Sequence, residues 1–247
     1  MDNWPKVTGR AARAAVRGSI CAVAAFALAA CGSQAPESTL QTESGAIAEG
    51  EMAIPVMGEQ VDIIAFGDSL FAGYGLDNPQ DSYPAKLEAA LRSRGINAEI
   101  VNSGVSGDTS AAGLSRIEFV LNAQGETPDL FILELGGNDL LRGLSPAETR
   151  ANFEAMLEML KARDITVLIM GMRSPANYGP EYQAAFDALY GDLAQEYSAQ
   201  IVPFWLESIY QDPSLFQSDR IHPTEEGIEA LVTATVDEVA AALPVEG

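Results

Sequence analysis

The most informative segment for the fold reads Leu130-Phe131-Ile132-Leu133-Glu134-Leu135-Gly136-Gly137, a short run that is apolar on both faces and ends at two glycines. A second run, Ile165-Thr166-Val167-Leu168-Ile169-Met170, has the same character and ends at Gly171. Strands that are apolar on both faces are typical of a parallel sheet buried between two layers. The two runs therefore predict a buried parallel sheet.

Three further short runs predict additional strands, at residues 61–66, 99–102 and 201–204. Helices are predicted between the strands, because apolar residues recur at helical spacing over residues 153–160 and 228–239. Ser145 followed by Pro146 is typical of a helix start. Strands that alternate with helices predict an α/β domain with a five-stranded parallel sheet covered on both faces. The sequence shows no internal repeat and no second domain boundary.

Composition excludes several classes of protein. The 247 residues are 47% hydrophobic and 20% charged, which suits a globular core and excludes disorder throughout. With 14 Lys and Arg against 35 Asp and Glu, the formal net charge is −21, so nucleic-acid binding is not expected. One histidine and two cysteines leave almost no ligands for zinc, haem or iron–sulfur sites, so we expect no metal and no cofactor.

The first thirty residues are typical of an export signal. Residues 1–18 hold four basic residues and one acidic residue, and residues 20–30 form an uncharged apolar run too short to span a bilayer. The run ends at Leu28-Ala29-Ala30-Cys31-Gly32, which resembles the lipobox of bacterial lipoproteins. That resemblance implies cleavage after residue 30 and a lipid on Cys31. The alternative is an ordinary signal peptide cut at an Ala-x-Ala-like site.

We accordingly divide the chain into a lipoprotein-type signal peptide at residues 1–30, a lipidated cysteine with a flexible tether at residues 31–55, and a folded domain at residues 56–247. Without residues 1–30 the chain holds 10 basic and 34 acidic residues, a net charge of −24. A domain this acidic is not drawn to anionic lipid, so membrane attachment would rest on the lipid at Cys31. The expected location is a membrane surface facing the periplasm, or the periplasm itself if Cys31 is not lipidated.

Candidate functional residues follow the predicted strands, because parallel sheets bind ligands beyond the carboxyl ends of their strands. Ser69 lies where the first strand turns into a helix, a place that suits an exposed nucleophile or a helix N-cap. His222, the single histidine, follows Asp219 by three residues. At this spacing a carboxylate can hold one imidazole nitrogen while the other acts as a base. Taken alone, this pattern is also that of a surface histidine ahead of a helix.

Four short blocks, in order along the chain, resemble the SGNH (GDSL) hydrolase superfamily: Gly67-Asp68-Ser69-Leu70, Gly104, Asn138 after Gly137, and Asp219 with His222. The sequence around them, at residues 102–110, 134–139 and 175–179, is similar to the bacterial periplasmic arylesterase, thioesterase and lysophospholipase branch. The resemblance covers roughly residues 61–240. It implies a single flavodoxin-like domain with three α/β/α layers.

The resemblance also implies roles for individual residues. Ser69 would be the nucleophile, His222 the base, and Asp219 the group that orients the imidazolium. The oxyanion hole would consist of the backbone N–H groups of Ser69 and Gly104 and the side-chain amide of Asn138. A substrate pocket is expected beside the nucleophile and along the loop after Asn138, at Phe71, Leu140, Leu141 and Leu144. For the three leucines, packing onto the following helix is an equal alternative.

These residues predict a serine esterase that acts through an acyl-enzyme intermediate. Its substrates would be small-molecule carboxylic esters with aryl groups or short to medium acyl chains, with thioesters and lysophospholipids as further candidates. A second hypothesis keeps the triad and makes the substrate an O-acetylated cell-wall or matrix polysaccharide. A third, from a different class, is a non-catalytic solute-binding lipoprotein, which leaves the pairing of the single histidine with the Gly-Asp-Ser-Leu turn unexplained. The protein is expected to be a monomer.

Overall fold

The computed structural model describes residues 58–244 of the chain. The predicted signal peptide, the predicted tether and the candidate lipidation site Cys31 lie outside the described residues. Across residues 58–244, none of the helices is both long enough and apolar enough to cross a membrane.

Five parallel strands form a sheet at the centre of the domain. They are β1 (Val61–Gly67), β2 (Ala98–Gly104), β3 (Leu130–Leu133), β4 (Val167–Met170) and β5 (Gln200–Val202). Their order across the sheet is β2-β1-β3-β4-β5, which is the flavodoxin-like order. In the register between β1 and β2, Gly67 lies opposite Gly104. The predicted α/β fold with a five-stranded parallel sheet is confirmed.

Helices connect the strands and cover both faces of the sheet. They are α1 (Ser69–Ala72), α2 (Tyr83–Ser93), α3 (Ser110–Ala123), α4 (Gly137–Leu141), α5 (Pro146–Lys161), α6 (Pro180–Tyr197) and α7 (Glu225–Ala242). Ser145 caps α5 as the sequence predicts, because its side chain accepts a hydrogen bond from the Ala147 N–H at 3.2 Å. Such a cap satisfies one of the N–H groups that the first helical turn leaves without a partner.

Alternate residues of each strand pack into two separate cores, one on each face of the sheet. From β1, Ile63 and Ala65 join the core that contains residues of α1, α2 and α7. Ile64 and Phe66 join the core that contains residues of α3, α5 and α6. Burying each large apolar side chain contributes about 1.5–3 kcal/mol to folding. Two buried faces explain why the strands show no alternation of polar and apolar residues.

The order of the strands determines where a ligand can bind. The chain passes from β1 outward to β2 and then crosses back to β3 on the other side of β1. In parallel sheets of this kind, a crevice forms at the carboxyl ends of the two strands on either side of such a reversal. Ser69 directly follows β1, and Asn138 follows β3. The topology therefore brings the candidate nucleophile and a candidate oxyanion donor to the same crevice.

Candidate active site

A cleft with a volume of about 580 Å³ opens at the carboxyl ends of β1 and β3. Ser69, Asn138 and His222 all line it. Most other side chains in its wall are apolar or aromatic: Leu70, Tyr74, Leu141, Met172, Leu206, Tyr210, Pro213, Phe216 and Ile221. An apolar wall with a few convergent polar groups is the usual composition of a site for a small organic molecule.

Ser69 is presented by a tight turn between β1 and α1. Asp68 caps the helix, since its Oδ1 atom accepts a hydrogen bond from the Leu70 N–H at 3.0 Å. The helix ends after one turn at Gly73, whose φ of +76° lies in the left-handed region that favours glycine. As the first residue of α1, Ser69 has a backbone N–H with no intrahelical acceptor. Both the hydroxyl and the N–H of Ser69 are therefore available to a ligand in the cleft.

Ser69, His222 and Asp219 form a continuous hydrogen-bonded chain. The Nε2 atom of His222 lies 2.8 Å from the Oγ atom of Ser69, and Nδ1 lies 2.7 Å from Oδ2 of Asp219. The other carboxylate oxygen of Asp219 accepts hydrogen bonds from the N–H groups of Ile221 at 2.9 Å and His222 at 3.1 Å. Arg220, within this turn, has a left-handed φ of +59° that folds Asp219 back onto His222. The structure thus brings together the three residues that the sequence singles out.

The surroundings of Asp219 keep its carboxylate charged. Partial burial acts to raise its pKa, but hydrogen bonds from the His222 ring and from the N–H groups of Ile221 and His222 lower the pKa to about 2. A carboxylate that is ionised throughout the neutral range can hold the imidazole with its proton on Nδ1. Nε2 is then free to accept a proton from Ser69. The arrangement can therefore activate a serine hydroxyl.

The loop that carries His222 is tied to the end of α1. The Gln217 side-chain amide donates hydrogen bonds to the carbonyl oxygens of Tyr74 at 2.8 Å and Pro223 at 2.9 Å. The Gln217 N–H donates to the His222 carbonyl at 2.7 Å. The ring of Tyr74 packs against the ring of His222, with centroids 4.5 Å apart. These contacts hold the base beside the nucleophile, although the two residues are 153 positions apart in the chain.

Asn138 is held by the carboxylate of Asp68. The Nδ2 atom of Asn138 donates to Oδ2 of Asp68 at 2.9 Å, which uses one of the two N–H bonds of the amide. Since Asn138 lines the cleft, its second N–H can bond to a ligand there. Burial raises the pKa of Asp68 to about 6, although hydrogen bonds from the Leu70 N–H and the Asn138 amide act to lower it.

A second buried carboxyl group, that of Glu134, lies next to Asp68. Glu134 is fully buried, and its Oε2 atom accepts a hydrogen bond from the Asp68 N–H at 3.1 Å. Burial, and then repulsion from the Asp68 carboxylate, raise the pKa of Glu134 well above its ordinary value. Sequence reasoning did not single out this residue, because it lies within an apolar run that reads as an ordinary strand.

We predict that the Asp68–Glu134 pair makes the free energy of unfolding decrease as the pH rises from about 4 towards 8. A carboxyl whose pKa is raised in the folded protein binds its proton more tightly there than in the unfolded chain. Its contribution to stability is therefore complete below about pH 4 and is lost as the pH rises through the folded-state pKa. For Asp68, a rise in pKa from 3.8 to about 6 corresponds to a loss of about 3 kcal/mol. Denaturant unfolding at a series of pH values measures the decrease.

Glu134→Gln is the matched variant for this prediction, because it removes one of the two ionisations and keeps the shape of the side chain. The decrease should be smaller in Glu134→Gln than in the unaltered protein. Identical pH dependence in the two proteins would contradict the prediction for Glu134.

Gly104 does not line the cleft, which corrects the expectation that its N–H belongs to the oxyanion hole. Its N–H donates instead to the Oδ1 atom of Asn102 at 2.9 Å. Gly104 is a point of close approach between β2 and α1, since a Cβ atom there would lie 2.4 Å from the Ala72 nitrogen and 2.9 Å from the Asp68 carbonyl oxygen. The residue is a glycine because the backbone of the nucleophile turn occupies the space of a side chain.

Gly107, three residues further on, lies at the cleft and has a backbone N–H that is free to bind a ligand, as Gly104 does not. It lines the cleft together with Ser69 and Asn138. Within residues 58–244, no acceptor takes a hydrogen bond from its N–H. Its φ of +87° is left-handed, and its carbonyl oxygen accepts a hydrogen bond from Nη2 of Arg142 at 2.8 Å. Spacing in the sequence could not separate the two glycines, because both follow the strand predicted at residues 99–102.

We predict that Gly104→Ala lowers the free energy of unfolding by about 3 kcal/mol, because the added methyl group meets the backbone of α1 and not a flexible side chain. The control is Gly191→Ala in α6, where nothing lies within 4 Å of the added Cβ atom. Gly191→Ala should leave stability unchanged or raise it by up to about 1 kcal/mol. Denaturant unfolding compares the two variants, and equal stabilities would contradict the close approach at Gly104.

Of the three leucines predicted to line the substrate pocket, the structure places Leu141 at the cleft. Leu140 is 7% exposed and packs into the core beneath α3, α5 and α6, which corrects its assignment. Leu144 also lies outside the cleft lining, and its carbonyl oxygen accepts a hydrogen bond from the Tyr182 hydroxyl at 2.9 Å. Leu140 and Leu141 are consecutive residues of α4 whose side chains point in different directions, so that Leu141 is 55% exposed while Leu140 is buried.

Phe71 does not lie in the pocket wall, which corrects the expectation from the sequence. Its side chain is fully buried in the core, stacked on Tyr83 with centroids 5.3 Å apart and edge-on to Trp205 at 5.6 Å. The part of the wall beside His222 comes from Tyr74 instead. Tyr74 is 54% exposed, and this exposure of a large aromatic side chain is visible only after folding.

The polar groups of the cleft suit covalent chemistry at a serine. In the part of the chain that the structure describes, no group of three or more His, Cys, Asp or Glu side chains is placed to hold a metal ion. Besides Asp68, Ser106 and Arg220, the polar groups that line the cleft are a hydroxyl with an adjacent base, and neutral N–H donors. Such a set can attack a carbonyl carbon and stabilise negative charge on its oxygen.

Comparison with known sequences identifies the family. The GDSL-like lipase/acylhydrolase family matches residues 65–230 of the chain. Esterase TesA of Pseudomonas aeruginosa is 40% identical over 161 residues, which are 65% of this chain and 79% of that protein. Thioesterase 1/protease 1/lysophospholipase L1 of Escherichia coli K12 is 38% identical over 164 residues, which are 66% of this chain and 76% of that protein.

Solved structures give the same result. AlinE4, an SGNH-hydrolase family esterase, has 61% sequence identity and a TM-score of 0.64 over 76% of this chain and 100% of its own. TesA has 35% identity and a TM-score of 0.69 over 74% of this chain and 99% of its own. With the fold, these matches place the chain among the SGNH-type hydrolases. It belongs to the GDSL-like lipase/acylhydrolase family and is a carboxylic ester hydrolase, so the resemblance seen in the sequence is confirmed.

Proposed function

We propose that the protein is a serine esterase that forms an acyl-enzyme intermediate on Ser69. The observation that carries the proposal is the 2.8 Å contact between Oγ of Ser69 and Nε2 of His222, with Asp219 2.7 Å from the other ring nitrogen. A serine hydroxyl becomes an effective nucleophile when a base at hydrogen-bond distance removes its proton. His222 is such a base, and the ionised carboxylate of Asp219 orients it.

In the first half of the reaction, Oγ of Ser69 attacks the carbonyl carbon of the ester and its proton passes to Nε2 of His222. Asp219 stabilises the imidazolium that results. The bond between the carbonyl carbon and the alcohol oxygen then breaks, and the proton on Nε2 passes to the departing oxygen. The products of this half are the free alcohol and an acyl ester of Ser69.

In the second half, a water molecule takes the place of the alcohol. Nε2 of His222 removes one of its protons while the oxygen attacks the acyl carbon. The bond to Oγ breaks, and the proton returns from Nε2 to Ser69. The carboxylic acid leaves, and the serine hydroxyl and neutral imidazole are restored.

Both halves pass through an intermediate with negative charge on the former carbonyl oxygen. Three donors at the cleft are available for it: the N–H groups of Ser69 and Gly107 and the second Nδ2–H of Asn138. These donors are held in place by the protein before the substrate binds, so they do not have to reorganise during the reaction. Losing one such donor typically raises the barrier by about 3–4 kcal/mol.

The lining of the cleft supports esters with apolar groups as substrates. Its wall contains Leu141, Tyr210, Phe216 and Ile221, which suit an aryl group or a short to medium acyl chain. Thioesters of similar groups, and lysophospholipids, fit the same wall, and relatives carry names with thioesterase, lysophospholipase and arylesterase. An O-acetylated polysaccharide would bring many hydroxyl groups to this wall, in which apolar and aromatic side chains are the majority. The apolar ester is therefore the favoured substrate.

Labelling with a fluorophosphonate probe tests the proposal. The probe should add once per molecule, at Ser69, and Ser69→Ala should abolish both labelling and hydrolysis of a nitrophenyl ester. Ser106→Ala is the matched control, because Ser106 also lines the cleft but is not part of the hydrogen-bonded chain. A series of nitrophenyl esters and thioesters of increasing acyl length, set against an acetylated polysaccharide, identifies the substrate class. Absence of labelling at Ser69, or full activity of Ser69→Ala, would contradict the proposal.

We also propose that residues 1–30 are removed on export and that Cys31 then carries a lipid that anchors the protein facing the periplasm. The support is the basic start, the short apolar run and the Leu28-Ala29-Ala30-Cys31 sequence. Mass spectrometry of the mature N-terminus tests the proposal. Cys31→Ala should release the protein from the membrane fraction. An unmodified N-terminus at another residue would contradict lipidation.

A further inference from the structure

Glu134 is a buried residue that the proposed mechanism does not use. Its side chain is 0% exposed, and within residues 58–244 its Oε1 atom has no hydrogen-bond partner. A buried polar atom without a partner is unfavourable, and a leucine would fill a similar space without it. Packing alone therefore does not explain a carboxyl group at this position. The other carboxyl oxygen, Oε2, does have a hydrogen-bond partner.

Oε2 of Glu134 supports the turn that presents Ser69. It accepts a hydrogen bond from the Asp68 N–H at 3.1 Å. The carboxyl can come this close because residue 67 is a glycine, and a Cβ atom at Gly67 would lie 2.5 Å from Oε2. The Glu134 N–H donates to the Phe66 carbonyl at 2.8 Å. Glu134 is thus bonded to the residues on both sides of Gly67, immediately before the nucleophile.

Asp68 connects Glu134 to Asn138. Its N–H bonds to Glu134, and its Oδ2 atom accepts a hydrogen bond from the Asn138 amide at 2.9 Å. Glu134 and Asn138 lie four residues apart on the segment that leads from β3 into α4. Asp68 is therefore held at two points of one short segment. These two bonds set the position of the Ser69 turn relative to the Asn138 amide.

We propose that Glu134 is a positioning residue of the hydrolytic site, which holds the Ser69 turn against Asn138 so that nucleophile and oxyanion donors face one substrate carbonyl. The inference rests on the proposed function of Ser69 and Asn138. The group that acts is the Oε2 acceptor. The titratable groups that face Glu134 are Asp68 and Tyr190, whose hydroxyl donates to the Leu135 carbonyl at 3.1 Å. Burial, and then the Asp68 charge, raise the pKa of Glu134 well above its ordinary value.

Two variants of Glu134 separate position from acidity. Glu134→Gln keeps a carbonyl oxygen at the same distance from the backbone, so kcat for a nitrophenyl ester should stay within about threefold of the unaltered enzyme. Glu134→Asp keeps the acid but withdraws the oxygen by one methylene group. Its kcat should fall by about 10–100-fold, because a shift of about 1 Å in the Ser69 turn disturbs the geometry of the reacting groups. KM should change little, because the apolar wall still binds the ester.

Thr235→Val is the control for a loss of buried hydrogen bonding elsewhere. Thr235 is buried, bonds to the Tyr83 hydroxyl at 2.7 Å and does not line the cleft. This variant should lower the melting temperature and leave kcat unchanged. The fraction of molecules labelled by the fluorophosphonate gives the number of folded sites in each variant, so that kcat is counted per site. The acid limb of the pH–rate profile should be the same in Glu134→Gln as in the unaltered enzyme.

The outcomes distinguish this inference from the proposed function. If Ser69 is labelled and Glu134→Asp keeps full kcat per site, the positioning role of Glu134 is wrong. If Glu134→Gln loses as much activity as Glu134→Asp, the carboxylic acid itself is needed and the acceptor role is wrong. If the unaltered enzyme is not labelled at Ser69, the proposed function fails first and the inference fails with it.

Discussion

Replacing His222 with alanine is expected to lower kcat for a nitrophenyl ester by about 10⁴-fold or more, with a much smaller change in KM. The alanine leaves Ser69 without the base whose Nε2 atom lies 2.8 Å from its hydroxyl. The chain has a single histidine, so no second imidazole can take over the proton. The binding of the ester to the apolar wall is unaffected. Steady-state kinetics on the purified variant measure the loss.

The double variant Ser69→Ala/His222→Ala tests whether the two residues act as one unit. Each single variant should lose nearly all of the acyl-enzyme pathway, so the double variant should be no worse than the more damaged single variant. Circular dichroism checks that each variant is folded. Losses that multiply in the double variant would mean that His222 and Ser69 act independently, which contradicts the proposed mechanism.

Hydrophobic patterning predicted the fold because a buried parallel strand is apolar on both faces. All five strands lie within or beside the predicted runs, and the helix at Ser145 begins where its cap predicts. The predicted end of β3 was wrong. The apolar run extends over residues 130–135, whereas the last residue that pairs in the sheet is Leu133. Leu135 is fully buried without belonging to the strand. Hydrophobicity predicts which residues are buried. It does not predict where the strand ends, because buried residues continue beyond the last hydrogen bond of the sheet.

The residues of the candidate site that belong to short sequence motifs could be predicted. Those whose role depends on the direction of a side chain or a backbone N–H could not. Ser69, Asp219 and His222 each lie in a motif, and the structure brings them into one hydrogen-bonded chain. Gly104 and Gly107 lie at the end of one strand, so only the path of the backbone shows which N–H faces the cleft. The direction of Phe71 could not be predicted either, because α1 has only four residues and these are too few to show a helical periodicity.

Replacing Asn138 with alanine is expected to lower kcat by about 10²–10³-fold with little change in KM. In the proposed mechanism the amide bonds most strongly to the carbonyl oxygen once that oxygen carries negative charge, so it stabilises the transition state more than the bound ester. The hydrogen bond from Nδ2 to Asp68 fixes the direction of the amide before substrate binds. Asn138→Asp should cost at least as much, because it removes the donor and adds a carboxylate beside that of Asp68.

Asn152→Ala is the control for the Asn138 prediction, because it removes the same chemical group outside the cleft. The Asn152 amide donates to Oγ of Ser110 at 2.9 Å, so its loss should lower stability by about 1 kcal/mol and leave kcat unchanged. Asn138→Ala should still exceed Ser69→Ala in activity, since the N–H groups of Ser69 and Gly107 remain. A higher KM with unchanged kcat would show that Asn138 binds the ester in its ground state, and an equal fall of kcat in Asn152→Ala would show that the loss is structural. Either result would remove Asn138 from the oxyanion hole.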